Sequence, residues 1–138
     1  MAEKIEFELV SPERLLVSEP VDMVVVPGTE GDFGALARHA PMITTVRPGV
    51  IDIYEDGKVR ERIFVAGGFA EVNETRVTVL AEEAIKVAEL NQETVATRVR
   101  LAEEALQEAD TDLSKAQAQR AIVIARALQD ALHAPAVH

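Results

Sequence analysis

The stretch VIDIYEDGKVRERIFV, residues 50–65, decides the class of fold. Two runs rich in β-branched and aromatic residues, a composition typical of strands, lie on either side of Asp56-Gly57. An Asp-Gly pair tolerates the positive φ angles that a two-residue hairpin turn requires. The stretch therefore predicts two antiparallel strands joined by a tight turn.

Strand patterns continue on both sides of this hairpin. In KIEFELV, residues 4–10, apolar and charged side chains alternate with the period of two that places one set on a single face of a strand. VDMVVVPG, residues 21–28, is β-branched and ends in a turn signal, and AEVNETRVTVL, residues 70–80, has two runs around a polar connection. Many short strands separated by Gly and Pro predict an antiparallel β-sandwich or flattened barrel.

The composition changes after Leu80. No Gly or Pro occurs between residues 81 and 133, and good helix formers dominate. Asn91 is the expected N-cap of a first helix. Its apolar face consists of Val95, Val99, Ala102 and Leu106.

A second helix is expected after ADTD, residues 109–112, where Asp110, Thr111 and Asp112 are candidate caps. Its predicted apolar stripe consists of Leu113, Gln117, Ala121, Ile124, Leu128 and Leu132, interrupted only by the glutamine. The short connection favours an antiparallel helical hairpin.

The whole chain is thus predicted to be α+β, with a β-sandwich domain over residues 1–85 and a helical hairpin over residues 88–134. The facing helical stripes are rich in Ala, which permits close approach but buries little apolar area per residue. We expect the hairpin to be weakly held and to need a partner surface, either the β domain or another chain.

Composition and charge exclude several classes of function. The 138-residue chain carries 24 acidic and 14 basic side chains, a formal net charge of −10, which disfavours nucleic-acid and anionic-lipid binding. It has no Cys, so disulfides and thiol catalysis are excluded. No secretory signal or apolar run of about 20 residues is visible, and we expect a soluble, cytoplasmic chain without membrane insertion.

The stretch GDFGALARHAPMITTVRPG, residues 31–49, is the main candidate for a functional site. His39 is either a general base or a structural or interface histidine, and no nucleophile motif accompanies it. The glycines lack the Lys of a phosphate loop and are expected to serve turns or bulges. The neighbouring carboxylates Glu82-Glu83 and Glu103-Glu104 are expected to form solvated faces. No cofactor or metal site is predicted.

These residues resemble the ε-subunit family of F-type ATP synthases, which also includes chloroplast ε and mitochondrial δ subunits. The family pattern Gly-Glu-hydrophobic-Gly, Gly-His-Ala-Pro and Lys-Pro-Gly is matched at residues 31–34, 38–41 and 47–49. Asp32 replaces the usual Glu, and Arg38 replaces the usual Gly. A second motif covers residues 65–72, and the resemblance extends over essentially the whole chain. No transit peptide is visible and a strand pattern begins at once, which favours a bacterial member over a mitochondrial precursor.

The resemblance implies a non-catalytic rotor subunit in the central stalk of the synthase, bound to the inner face of the bacterial plasma membrane. The β-sandwich is expected to bind the γ subunit and the polar loops of the membrane c-ring. The helical hairpin is expected to fold down on the sandwich or to extend to the α/β catalytic ring, where it restrains ATP hydrolysis.

Site residues follow from the resemblance. Glu30, Gly31 and Asp32 match the turn that faces the c-ring, with Asp32 the favoured contact. His39, Ala40, Pro41 and Met42 match a surface associated with γ. Lys115, Arg120 and Arg126 are candidates for contact with an acidic segment of the catalytic β subunit.

Some bacterial relatives bind ATP through Ile-Asp-x-x-Arg-Ala at the start of the first helix. Asn91 and Thr94 stand here at the Asp and Arg positions, and Ile124 stands where a second-helix Arg is expected. Loss of such charged partners removes about 1.5–3 kcal/mol each, so ATP binding is expected to be weak or absent.

Two other functions are considered beside the rotor subunit. One is a free-standing β-sandwich binding module that carries a helical oligomerisation arm. The other is a small hydrolase or isomerase that uses His39.

Overall fold

A computed structural model describes residues 3–133 of the chain. Within that range the strands are β1 Ile5–Val10, β2 Leu15–Val21, β3 Met23–Gly28, β4 Gly31–Ala35, β5 Met42–Val46, β6 Gly49–Glu55, β7 Lys58–Val65, β8 Gly68–Val72, β9 Arg76–Ala81 and β10 Ala84–Lys86. A 3₁₀ helix, Val87–Glu89, leads to helices α1 Gln92–Glu108 and α2 Asp112–His133. The predicted α+β fold is confirmed.

The predicted hairpin of residues 50–65 is present as β6 and β7. Asp56 and Gly57 adopt φ angles of 53° and 77°, the left-handed values that a twisted two-residue hairpin turn needs. Gly49 pairs with Val65 at the far end of the ladder, and the register shifts once, between Ile53 and Tyr54. The turn therefore fixes how β6 pairs with β7.

The strands form one continuous, curved sheet in the order β10-β7-β6-β3-β5-β8-β9-β1-β2, with β4 added to β3 as a hairpin arm. The ladders are antiparallel except that β1 runs parallel to β9. The curved sheet closes on itself as a sandwich, because its two ends bury their alternating apolar residues against each other.

The core lies between these two layers. Phe7 and Leu9 from β1 pack with Ile51 and Ile53 from β6 and Ile63 from β7, and all five side chains are fully buried. Burial of one such side chain contributes about 1.5–3 kcal/mol. The sandwich thus has a large core that is independent of the helices.

The helices pack on the outer surface of β6 and β7. A second apolar cluster joins Phe64 of β7 and Ala66, which follows that strand, to Val95 of α1 and to Leu128 and Ala131 of α2. Asp52 of β6 is also buried, at 1% exposure, and its Oδ1 accepts a hydrogen bond from Arg62 Nε at 3.2 Å. One face of the sandwich therefore supports the hairpin.

The helix boundaries agree with the predicted caps. The Asn91 side chain accepts hydrogen bonds from the N–H groups of Glu93, at 2.8 Å, and Thr94, at 3.1 Å. At the start of α2, Thr111 Oγ1 accepts from Ser114 N at 3.0 Å, which identifies Thr111 as the cap among the three candidates. The prediction of two capped helices joined by a short connection is therefore confirmed.

The predicted stripe of α2 is only half correct. Ile124 and Leu128 are buried, but Leu113 is 69% exposed, and Gln117 and Ala121 are exposed as well. Leu113 and Ile124 share a helix face, since eleven residues make about three turns. However, the cluster on the sandwich contains no α2 residue before position 124, so the first half of the stripe takes no part in this contact.

Candidate partner-binding site

The two-residue turn between β3 and β4 is the first candidate surface. Gly28 pairs with Gly31, which leaves Thr29 and Glu30 at the exposed tip. Gly31 has φ 131°, and a Cβ on Gly28 would lie 2.8 Å from the Gly31 carbonyl oxygen. Both glycines are therefore required for the turn to close this tightly.

The end of β5 and the residue that follows it hold this turn in place. Thr29 N donates to Thr45 O at 3.1 Å, and the hydroxyls of the two threonines lie 2.7 Å apart. The guanidinium of Arg47 donates through Nη1 to Gly28 O at 2.6 Å and through Nη2 to Asp32 Oδ1 at 2.5 Å. The turn is consequently clamped from the side rather than left as a free loop.

The second candidate surface surrounds His39. Arg38 precedes it with φ 71°, a left-handed conformation that residues other than Gly seldom adopt. The Arg38 N–H donates to Glu74 O at 2.7 Å, and the His39 N–H donates to Leu36 O at 3.1 Å. His39 is half-buried, while Ala40 and Pro41 are exposed. These bonds fix the bend that presents the three residues.

The His39 ring has structural neighbours. Its Nδ1 lies 2.6 Å from Ala40 O, and its ring centroid lies 6.4 Å from that of Phe33. Within residues 3–133 no group of three or more His, Cys, Asp or Glu side chains is arranged to hold a metal ion. The geometry favours the structural or interface interpretation of His39.

A row of apolar side chains lies on the outer face of β5, β8, β9, β1 and β2, next to this bend. Phe69 pairs with Leu80 and is 58% exposed, while Leu80 is 55% exposed. Val10 lies beside Leu80 and continues the row to Leu15, which is 56% exposed. Ile43 on β5 shares this face and is 74% exposed. Sequence analysis missed this row, because Leu15, Ile43 and Phe69 lie outside the strands that it predicted.

Met42, by contrast, packs against the core. Ile43 follows it on β5 and points outward, because successive side chains of a strand alternate between faces. The predicted surface of residues 39–42 is thus continuous with the apolar row through Ile43.

The cationic residues of α2 are engaged within the chain. Arg120 Nη2 forms an ion pair with Glu82, and Arg126 Nη2 lies 3.7 Å from Glu103 Oε2 of α1. Lys115 is exposed and makes no ion pair within the described residues. The three predicted contact residues therefore do not form one cluster of free positive charge.

Glu82 is exposed as expected, but Glu83 is half-buried, and both carboxylates have partners on the helices. Arg98 of α1 binds Glu83 through two hydrogen bonds, Nη1 to Oε2 at 2.8 Å and Nη2 to Oε1 at 2.7 Å. The adjacent Glu82 receives Arg120 of α2. Two consecutive carboxylates thus connect the sandwich to both helices. The expectation of a solvated face missed these ion pairs, because the partners lie far away in sequence.

The Arg98–Glu83 pair shifts the titration of both groups. The hydrogen bonds from Arg98 lower the pKa of the Glu83 carboxyl below its ordinary value of 4.5. The same bonds raise the pKa of the Arg98 guanidinium. Both side chains are more than a third exposed, so solvent screening reduces the strength of the pair.

Neither helix within residues 3–133 combines the length and the apolar content needed to cross a membrane. Taken together, these features define a β-sandwich protein with a helical hairpin on one face and an exposed apolar row on the other.

Comparisons with known proteins give the family. Residues 4–87 match the family described as ATP synthase, Delta/Epsilon chain, beta-sandwich domain. The ATP synthase epsilon chain of Paramagnetospirillum magneticum is 66% identical over 96% of this chain and 99% of its own length. That of Rhodospirillum rubrum is 63% identical, over 93% and 96% respectively. The chain belongs to the family of ATP synthase delta/epsilon chains.

Solved structures agree with this assignment. A chain in the mitochondrial ATP synthase of Euglena gracilis, solved with OSCP, F1 and the c-ring, matches with a TM-score of 0.80 and 31% identity. The match covers 94% of this chain and 82% of that chain. A chain from the central stalk and c-ring of Tetrahymena thermophila ATP synthase has a TM-score of 0.70 at 14% identity, which supports the fold alone. The resemblance inferred from residues 31–49 is confirmed.

Proposed function

We propose that this chain is a non-catalytic rotor subunit of a bacterial F-type ATP synthase, which joins the γ subunit to the polar loops of the c-ring. Family membership carries this proposal, because its relatives along nearly the whole chain are ATP synthase epsilon chains. ATP synthesis and ion transport are the processes in which it acts. Its place is the cytoplasmic face of the plasma membrane, as a peripheral component of the complex.

The γ subunit is assigned to the bend at His39, Ala40 and Pro41 and to the neighbouring apolar row. Large contiguous apolar patches on soluble domains generally mark protein-binding surfaces. Ile43, Phe69, Leu80 and Leu15 are each more than half exposed. Binding of γ over this face would bury them, while the opposite face remains covered by the helices.

The c-ring is assigned to the turn that contains Glu30, Gly31 and Asp32. This turn is short, clamped by Arg47 and acidic. A rigid polar turn suits a contact that must transmit torque, because it loses little conformational freedom on binding.

The hairpin is assigned a second role, which is to restrain ATP hydrolysis by reaching the α/β catalytic subunits. Its surface offers Leu101, Leu113 and Val123, all more than half exposed. For Arg120 and Arg126 to reach an acidic segment of a β subunit, their pairs with Glu82 and Glu103 must first break. Lys115 needs no such exchange.

ATP binding by this chain is expected to be weak or absent. Asn91 uses its side-chain oxygen as a helix cap, and the cavity beside it, lined by Leu90, Thr94 and Arg98 among others, has a volume of 140 Å³. Ligand pockets usually measure about 300–1,000 Å³. Isothermal titration that finds micromolar ATP affinity for the full chain would contradict this expectation.

The test of the proposed function is purification of the tagged chain from its bacterium under mild detergent. Recovery of γ, the c-ring and the α/β subunits at fixed stoichiometry supports the rotor subunit. Recovery of the chain alone or as an oligomer supports the free-standing binding module instead. Substitution of His39 by Ala should leave hydrolysis by the assembled α/β subunits present, whereas a hydrolase or isomerase that used His39 would lose its own turnover.

A further inference from the structure

The β3–β4 turn carries two carboxylates that differ in their surroundings. The Asp32 carboxylate is paired with the guanidinium of Arg47 at 2.5 Å. Glu30 stands at the exposed tip, and its carboxylate has no hydrogen bond or ion pair to any residue from 3 to 133. A paired carboxylate presents less charge to an approaching partner than a free one does.

Arg47 also fixes the chain on either side of Glu30. Its side chain bonds to Gly28 before the turn and to Asp32 after it, and its backbone N–H donates to Pro27 O at 2.9 Å. Arg47 thus connects the end of β3 to the start of β4, the two strand ends that flank Glu30. A planar guanidinium can bridge two acceptors in this way, whereas an ammonium group concentrates its charge at one point.

We propose that Glu30, rather than Asp32, makes the charged contact with the polar loop of the membrane ring. Arg47 is the positioning residue, which fixes the turn and keeps the Asp32 carboxylate engaged within the chain. The partner loop must then offer a cationic side chain or backbone N–H donors to Glu30. This inference rests on the proposed function, in which the turn faces the ring.

The experiment measures the affinity of the soluble ATP synthase portion, assembled with the full chain, for the ring in nanodiscs. Glu30→Gln should weaken binding about tenfold, the cost of one hydrogen-bonded charge. The matched variant Asp32→Asn should weaken it by less than about twofold. The Glu30 effect should also shrink as salt is raised, because screening weakens exposed charges.

The role of Arg47 is tested by a double substitution. Arg47→Gln frees the Asp32 carboxylate, so adding Asp32→Asn in that background should change ring affinity although it is nearly silent in the wild type. Arg47→Lys should restore part of the affinity. An Arg47 that only stabilises the fold would lower the melting temperature without creating this dependence on Asp32.

A complex assembled without the chain distinguishes a failure of the proposed function from a failure of the specific claim about Glu30. If its ring affinity equals that of the complete complex, the proposed function itself is wrong. If omission weakens binding but Asp32→Asn has a larger effect than Glu30→Gln, or the Asp32 effect is the same in both Arg47 backgrounds, the present inference alone is overturned.

Discussion

The sandwich core and the surface that holds the helices use different residues. Fully buried Phe, Leu and Ile side chains fill the core. Of the five buried residues of α2, three are alanines, Ala118, Ala125 and Ala131, and each buries only one methyl group. Ion pairs from Glu82 and Glu83 supplement this small apolar contact. We infer that the hairpin can leave the sandwich without unfolding it.

The largest difference is expected between a substitution in the sandwich core and one in the docking surface, the contact between the helices and the sandwich. Ile53→Ala, in the sandwich core, should lower the free energy of unfolding of the sandwich by about 2–5 kcal/mol because it leaves a cavity. Leu128→Ala removes a comparable side chain from the docking surface and should release the helices while leaving the sandwich nearly unchanged. Denaturation followed by residue-resolved NMR measures both, and equal losses of sandwich stability would contradict the comparison.

The ion pair between Arg98 and Glu83 should affect docking alone. Arg98→Gln should weaken the hairpin contact by about 1 kcal/mol, after allowance for solvent exposure. Arg100→Gln is the matched control, because the partner of Arg100 among residues 3–133 is Glu104 of the same helix, and Arg100 is more exposed. Hydrogen exchange of the helical amides measures the two effects. An equal effect of both substitutions would contradict a role of the Arg98–Glu83 pair in holding the hairpin on the sandwich.

Arg38 provides the opposite case, in which the sandwich changes and the hairpin does not. Arg38→Gly should stabilise the sandwich by about 0.5–1 kcal/mol, because Gly relieves the left-handed φ of 71°. Arg38→Ala controls for loss of the exposed ion pair with Glu3 and retains the strain. Thermal melts of the two variants test this, and a lower melting temperature for the Gly variant than for the Ala variant would count against it.

Acid should loosen the hairpin before it affects the core. Because Arg98 lowers the pKa of Glu83, the contribution of this pair is fully present above about pH 4.5 and is lost as pH falls through the lowered value. The Arg98→Gln variant should lack this pH dependence. Hydrogen exchange of α1 compared between pH 6 and pH 4 provides the measurement.

Local patterns predicted most of the fold. The Asp56-Gly57 turn and the Asn91 cap depend on a few neighbouring residues, so the sequence signals were sufficient. The α2 stripe failed in its first half, because the extent of the sandwich surface is a tertiary property.

The candidate site could be predicted only in part. The family signature identified the turn at Glu30 and Asp32 and the bend at His39. It did not reveal that Arg47 holds Asp32, nor that Arg120 meets Glu82 across 38 positions of sequence, because such pairs form only when distant segments fold together. The apolar row around Phe69 was missed since its exposure depends on which strand face remains uncovered.

Native-state hydrogen exchange of the full chain tests the central claim most directly. The account predicts that amides of α1 and α2 exchange through an opening of lower free energy than those of β6 and β7, and that Leu128→Ala lowers only the first. Exchange of helices and core strands through one common opening, with equal free energies in both proteins, would contradict a separable hairpin.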